Sequence, residues 1–373
     1  MSDRTERRLL VAALVLYGLI AVPTGIRRGT DFAIHIPIAQ AWLARMPLYE
    51  SAPHVGMWWP PFAIVLVAPF AALATVAGLA WAKAAWGVVS LACLGWALDR
   101  LSKDGWRTVA VALLAVAVPL HRNFEDLNLN AFLLALWVAA ARDVRAGRDT
   151  RAAMWIGTAA AIKVYPGLLL AYFVLRRRLR PLAFGIGTAA ALTALPLLAY
   201  GVSGAAESFA GWTAHGTAVQ ASLRGSNQSL AALATRLHLP LAGFAVLELS
   251  CLGVALMAAL RWKHEARPCD ELAVLALAAV LLSPIAWVHY FLLALPAWLT
   301  ALRLGRESPH PWLKPALFLA AVGTSGVLTV FSLSLRDVVF GLSLYTWGGL
   351  VLLLLLAFAE RGSVPKTAAA YSG

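Results

Sequence analysis

Apolar runs too long and too numerous for one aqueous core dominate this chain. They recur at Leu9–Ile26, Trp81–Leu98, Thr108–Leu120, Ala131–Ala141, Ala152–Ile162, Gly167–Leu175, Leu182–Tyr200, Leu241–Leu260, Leu272–Trp287, Phe291–Leu302, Ala316–Phe331 and Leu342–Phe358. With 61% hydrophobic and 13% charged residues and a mean hydropathy of +0.75, a soluble fold would expose more apolar surface than it buries. The expected class is an all-α integral membrane protein, a single domain over 1–373 with about twelve transmembrane helices. The runs flanking Lys163 and His289 are too short, at about 1.5 Å per residue, to cross ~30 Å of hydrocarbon. Broken helices of that kind line polar cavities within a membrane.

Charge gives the orientation. The formal net charge of +13 comes from short basic clusters between apolar runs, a cytoplasmic-loop pattern rather than a nucleic-acid surface. With both termini cytoplasmic and no crossing at Pro61–Leu79, 22 of the 31 Lys and Arg fall inside. A full crossing there would reverse every later loop and put Arg176–Arg180 outside. The run, interrupted by Pro69, is therefore expected to be re-entrant or to lie along the outer surface, the alternative being an ordinary crossing with one later span miscounted. The N-terminus lacks a small-residue cleavage site and reads as an uncleaved first helix. Cys93, Cys251 and Cys269 form no metal or disulfide spacing.

The same assignment collects the unusual polar residues on one side, outside the membrane. Residues 27–80 form a first external loop with juxtamembrane helices, holding Asp31, His35, Trp58 and Trp59. With it fall His121–Asn130, the break at Lys163-Val164-Tyr165-Pro166, a long external loop over 201–240 with Arg224, Asn227 and Gln228, and Trp287-Val288-His289-Tyr290. Scattered polar residues would have divided between the faces, so a shared side points to an active site.

Five of these stretches carry a resemblance. TDFAIHIPIAQAWLARMPLYE with WWPPFAIVLVAPFAAL, then NLNAFLLALW, AAAIKVYPGLLLAYFVLRRRLRP, SNQSLAALATRL and LLSPIAWVHYFLLALPAWL resemble, in that order, glycosyltransferase family 87 over about Arg27 to Leu302. The resemblance implies the GT-C membrane fold and transfer of a sugar from a polyprenyl-phosphate donor to a hydroxyl of a lipid or glycan acceptor, with inversion. Mannose is its commonest sugar, although relatives also transfer arabinofuranose. Where such relatives carry Gly-Gln-x-Asn, this chain has Leu127-Asn128-Leu129-Asn130.

Inverting transfer needs a carboxylate opposite the leaving group and cationic or hydrogen-bonding groups on the departing phosphate. Asp31 matches the family's acidic residue after the first span and is the expected base, its alternative being the N-cap of the helix at Phe32–Leu43. His289 matches the family's functional histidine, with an interfacial anchor as the alternative. Lys163 is costly to bury unpaired and is expected to meet the lipid phosphate, or else Glu125 or Asp126. Arg224, Asn227 and Gln228 are expected in a lid over donor or simply in water. His35, Arg122, Asn128, Asn130, Tyr165 and Tyr290 complete the expected substrate contacts. Trp58, Trp59, Trp212 and Trp287 are expected mainly in the interfacial aromatic belt, the alternative for Trp58 or Trp59 being contact with sugar. No cofactor is expected, and the few loop carboxylates favour metal independence. A transporter or flippase of a lipid-linked or anionic solute is the alternative function, disfavoured by the absence of internal repeats.

Overall fold

The computed structural model describes residues 3–49, 59–102, 105–216, 227–265 and 267–359. The first half runs α1 (Asp3–Arg27), α2 (Thr30–Leu43), α3 (Pro61–Ala77), α4 (Leu79–Leu101), α5 (Trp106–Leu114), α6 (Ala117–Glu125), α7 (Asn130–Arg145), α8 (Asp149–Ile162) and α9 (Ala171–Leu175). The second runs α10 (Leu179–Ala194), α11 (Gly201–Gly211), α12 (Leu230–Arg236), α13 (Leu241–His264), α14 (Pro268–Leu281), α15 (Leu295–Glu307), α16 (Leu313–Ser325), α17 (Leu328–Phe331), α18 (Leu333–Gly341) and α19 (Leu344–Phe358). Among the described residues the sole β pairing is an isolated bridge between Asn227 and Trp287.

Five helical segments are long and apolar enough to cross a membrane: Thr5–Arg27, Leu79–Leu101, Leu179–Ala214, Leu241–His264 and Val288–Glu307. The pair α18 and α19, bent by 54°, makes a sixth if taken as one span. The chain is thus an all-helical, multi-pass membrane protein, with five or six membrane-length spans among the described residues rather than about twelve. The expected span Thr108–Leu120 shows why. It divides into α5 and α6 just before Pro119, which has no N–H to return to the Ala115 carbonyl. That carbonyl instead accepts from Thr324 Oγ1 at 2.8 Å. The stretch 201–240, expected as a long loop, is largely helical in its described parts, because small and apolar residues let α10 continue through a 3-10 turn at Leu195–Tyr200 into α11.

Apolar residues on α1 and α13 stay bare on their outer faces, as lipid-facing helices require; Leu19 is 68% and Leu241 82% exposed. By contrast, every residue of α14 from Cys269 to Leu281 is buried, making it the central strut. Close helix contact is set by glycine where α8 meets α10, since a Cβ on Gly157 would lie 2.2 Å from the Gly185 carbonyl oxygen. The polar breaks and the basic clusters occupy opposite helix ends. Helix α7 starts at Asn130 and ends at Arg145, and α8 runs back from Asp149 to Lys163. At the basic ends, Arg176 pairs with buried Glu271 and Arg303 with Asp270.

Candidate active site

The first polar stretch is placed by a tight turn between α1 and α2. Gly29, at φ +41, donates its N–H to the Glu125 carbonyl at 2.9 Å, and a Cβ there would lie 2.5 Å from the Gly25 carbonyl. The turn brings Asp31, in the first turn of α2, against the segment following α6. Neither Thr30 nor Asp31 caps the helix: Gly29 holds the N-cap position without a side-chain bond, while Thr30 Oγ1 donates to Asp126 Oδ1 at 3.2 Å. The capping alternative for Asp31 therefore falls away.

Asn128 is the hub. Its Nδ2 donates to Asp31 Oδ2 at 2.5 Å, and its Oδ1 accepts from Lys163 Nζ at 2.9 Å, Asn130 Nδ2 at 3.1 Å and the Leu129 N–H at 2.7 Å. Asp31 Oδ1 takes no hydrogen bond from any described residue. Lys163 stands where α8 stops, its backbone extended at φ −146 and ψ 135, with its ammonium 3.8 Å from the centre of the Tyr290 ring. Tyr290 stacks on Tyr165 at 5.0 Å, and the Tyr165 hydroxyl donates to Asn130 Oδ1 at 3.0 Å. Lys163 thus meets Asn128 and an aromatic face; of the two ion-pair partners considered for it, Glu125 is taken by Arg28 and Arg122, and Asp126 faces His289 and Thr30.

His289 lies between two carboxylates. Its Nε2 is 3.8 Å from Asp31 Oδ2 and its Nδ1 3.7 Å from Asp126 Oδ2, and Nε2 is buried without a hydrogen-bond partner. Burial holds the Asp31 carboxyl above the usual range, with Asp126 adding to it and His289, Asn128 and Lys163 offsetting only part. Burial also acts on Asp126, but the nearby His289 ring, with Arg122 and the Thr30 hydroxyl, outweighs it and holds Asp126 below the usual range. Burial pushes Lys163 down to about 7 against the pull of Asp31.

These groups form the polar end of a cavity of about 1310 Å³ lined by Asp31, His35, Asn128, Lys163, Tyr165 and Tyr290. The rest of its wall is mainly apolar, from Leu168 and Ile186 through Ala206 and Phe209 to Leu252 and Leu282, interrupted by Thr193, Thr213 and Ser283. His35 is fixed in one tautomer: Nδ1 lies 2.5 Å from the Asp31 carbonyl oxygen, and Nε2 accepts the Trp59 N–H at 2.9 Å. The two rings stack at 4.0 Å. Trp59 and Trp212 are therefore buried cavity walls rather than belt residues, and Trp287 lines the same space.

Other expected residues stand apart. His289 and Asn130 lie behind the wall as supports. Arg122 donates to Glu125 Oε2 at 2.6 Å and does not line the cavity. Asn227 and Gln228 form a latch: Asn227 Oδ1 accepts the N–H groups of Ala286 at 2.9 Å and Ser229 at 3.1 Å, and the Gln228 N–H donates to Ala286 O at 2.7 Å. That latch holds the irregular chain between α14 and His289. Arg224 and Trp58 lie outside the described residues. Asp126 went unrecognised as a site residue in its own right, although an acid in the same polar patch as Asn128 was the available signal.

The sequence is similar to those of several mycobacterial proteins. A Mycolicibacterium smegmatis protein, named a polyprenol-phosphate-mannose-dependent alpha-(1-2)-phosphatidylinositol mannoside mannosyltransferase, is 25% identical over 358 residues, 86% of this chain and 80% of its own length. A protein of the same name from Mycobacterium tuberculosis is 26% identical over 88% of this chain and 83% of its own. A Mycobacterium tuberculosis phosphatidylinositol pentamannoside mannosyltransferase is 28% identical over 64% of this chain and 56% of its own. No solved structure matches. The model of one family matches residues 58–286, more than half of the chain, and the chain therefore belongs to glycosyltransferase family 87.

Proposed function

We propose that this membrane glycosyltransferase moves mannose from a polyprenyl-phosphate donor to a hydroxyl of an envelope glycolipid or glycan, with inversion and with Asp31 as general base. The names of the mycobacterial relatives support the donor and a phosphatidylinositol mannoside-like acceptor. The observation that carries the mechanism is the cavity's division, with a carboxylate and an ammonium joined through Asn128 at one end and an apolar wall along the rest. The polyprenyl chain lies along that wall, and its phosphate meets Lys163. The acceptor oxygen attacks the anomeric carbon as its proton passes to Asp31 Oδ1. The bond from that carbon to the phosphate oxygen breaks, and the electron pair leaves on the phosphate, where Lys163 meets the charge. A carboxyl raised by burial is a stronger proton acceptor than an ordinary one. His289, expected from the sequence to contact the phosphate or sugar, is instead a positioning residue behind Asp31, held on its other side by Asp126.

The fold is read as a GT-C-type bundle with about twelve crossings, several of them broken, and with the site facing the periplasm of a bacterial inner membrane. The deciding experiment is Asp31→Asn in membranes supplied with polyprenyl-phosphate-[14C]mannose and acceptor lipid. Loss of transfer by roughly 10²–10⁴-fold with donor binding retained is expected of a general base. Transfer at the wild-type rate removes Asp31 from the mechanism. Mass spectrometry of lipids from a deletion strain identifies the missing sugar, and a pentose in place of a hexose would overturn mannose.

A further inference from the structure

The two helices that present Asn130 and Lys163 border, along their length, a second cleft of about 390 Å³ between α3, α4, α7 and α8. Its walls are apolar, with Leu66, Trp96, Leu136 and Trp155 each partly exposed, so it is open to the surroundings. Its rim is basic: Arg142, Arg148 and Arg151 stand around a single carboxylate, Asp143. That carboxylate is buried and fully engaged, taking Arg148 Nε at 2.8 Å, Arg151 Nε at 3.0 Å and Trp155 Nε1 at 2.9 Å. Three guanidiniums against one carboxylate leave the rim two positive charges in excess. Arg142 is exposed and makes no ion pair with any described residue. On its other side Arg142 borders a small hollow where Arg303 is paired with Asp270 and Arg100 with Asp99, so the excess charge is that of the rim itself.

The cleft shares no lining residue with the catalytic cavity, and although its apolar end reaches Phe132 and Ile162, near Asn130 and Lys163, its basic rim is remote. Arg142 lies twelve residues along α7 from Asn130, and Arg151 lies twelve residues along α8 from Lys163, about 18 Å in each case. The cleft follows one helix face from Phe132 through Leu136 to Arg142, ending in charge where the basic clusters of the bundle gather.

We propose that this cleft binds an anionic glycerophospholipid, with an acyl chain between α4, α7 and α8 and the phosphate at Arg142, Arg148 and Arg151. Its volume is in the range of small-molecule sites, and an apolar slot closed by unneutralised guanidiniums fits a charged head on an apolar tail. A zwitterionic lipid, whose own ammonium cancels its phosphate, matches the rim poorly. The inference does not depend on the proposed reaction.

The test uses the full-length protein in phosphatidylcholine nanodiscs containing chain-spin-labelled phosphatidylglycerol or chain-spin-labelled phosphatidylcholine. The readout is the relative association constant of the motionally restricted lipid. Wild type is expected to prefer phosphatidylglycerol, Arg142→Gln to weaken that preference about fivefold, and 1 M salt to weaken it in wild type. Leu136→Trp fills the slot without altering charge and is expected to abolish the preference. It serves as the deciding variant if Arg142→Gln does not fold. Equal restriction of both lipids by wild type overturns the proposal, as does a preference unchanged in both variants. Competition by millimolar glycerol 1-phosphate, which would mark a headgroup-only site, overturns it too, as would variants that change the oligomeric mass while leaving lipid preference intact.

Discussion

Replacing Asn128 by alanine removes the one side chain that touches both proposed actors in the reaction. Its Nδ2 bond to Asp31, at 2.5 Å, favours the ionised carboxylate, and its Oδ1 bond to Lys163, at 2.9 Å, favours the ammonium. A hydrogen bond to a charged group contributes about 1.5–3 kcal/mol. Losing the first raises the Asp31 pKa further. Because the carboxylate is the active form, the acid limb of the pH profile moves to higher pH. Below that limb the variant should be slower by roughly ten- to a hundredfold, the factor those energies convert to. Losing the second bond lowers the Lys163 pKa from about 7, so the limb set by the ammonium moves to lower pH. The bell should therefore narrow from both sides. The assay is the initial rate of mannosyl transfer at subsaturating donor between pH 5 and 9, which reports the free enzyme's ionisations. A wild-type to variant ratio that stays constant across pH would refute the coupling of Asn128 to either charge.

Lys163→Met should weaken donor binding most at acidic pH: in wild type, affinity is expected to fall as pH rises through about 7, and equilibrium binding of donor to the methionine variant should lack that limb. Asn227→Ala removes two buried bonds at the latch and should lower stability by about 1–3 kcal/mol, read as a fall in Tm, while donor KM in the folded fraction stays near wild type; a raised KM at unchanged Tm would place Asn227 on substrate instead. Leu127→Gly should relieve about 1–2 kcal/mol of left-handed backbone strain but lose about 2–5 kcal/mol of packing, giving a net decrease in thermal stability.

Leu127 also shows how far sequence reasoning reached. The departure from Gly-Gln-x-Asn was plain in the sequence, but its consequence was not. Leu127 holds φ 53, the left-handed conformation glycine adopts freely, and its side chain fills space left bare by Gly25, Gly29 and Gly87. With the backbone so turned, the carboxamide of Asn128 reaches both Asp31 and Lys163. The gathering of Asp31, Asn128, Lys163 and Tyr290 was legible because each sits at a helix break or end, where polarity interrupts an apolar run. The latch at Asn227 and Gln228 was misread because a polar triplet in an apolar chain looks the same whether it meets substrate or satisfies an irregular backbone. The number of unbroken spans was hard to read for a related reason. Hydropathy records which residues avoid water, whereas the break before Pro119 decides whether the helix carrying it stays continuous.

Two acids flank one imidazole at this site, and their surroundings separate their roles. Asp126 has Thr30, Arg122 and His289 to stabilise its negative charge, so it stays ionised and fixes the Nδ1 side of the ring. Asp31 is more enclosed and has an oxygen that no described side chain engages, so burial makes it the better proton acceptor. Exchanging the two assignments would require the acid holding a histidine in place to give up its charge during turnover. It would also leave an ionised carboxylate facing an apolar cavity with no proton to take. The asymmetry follows from the turn at Gly29, which delivers Asp31 to the cavity side of His289 while α6 delivers Asp126 to the other.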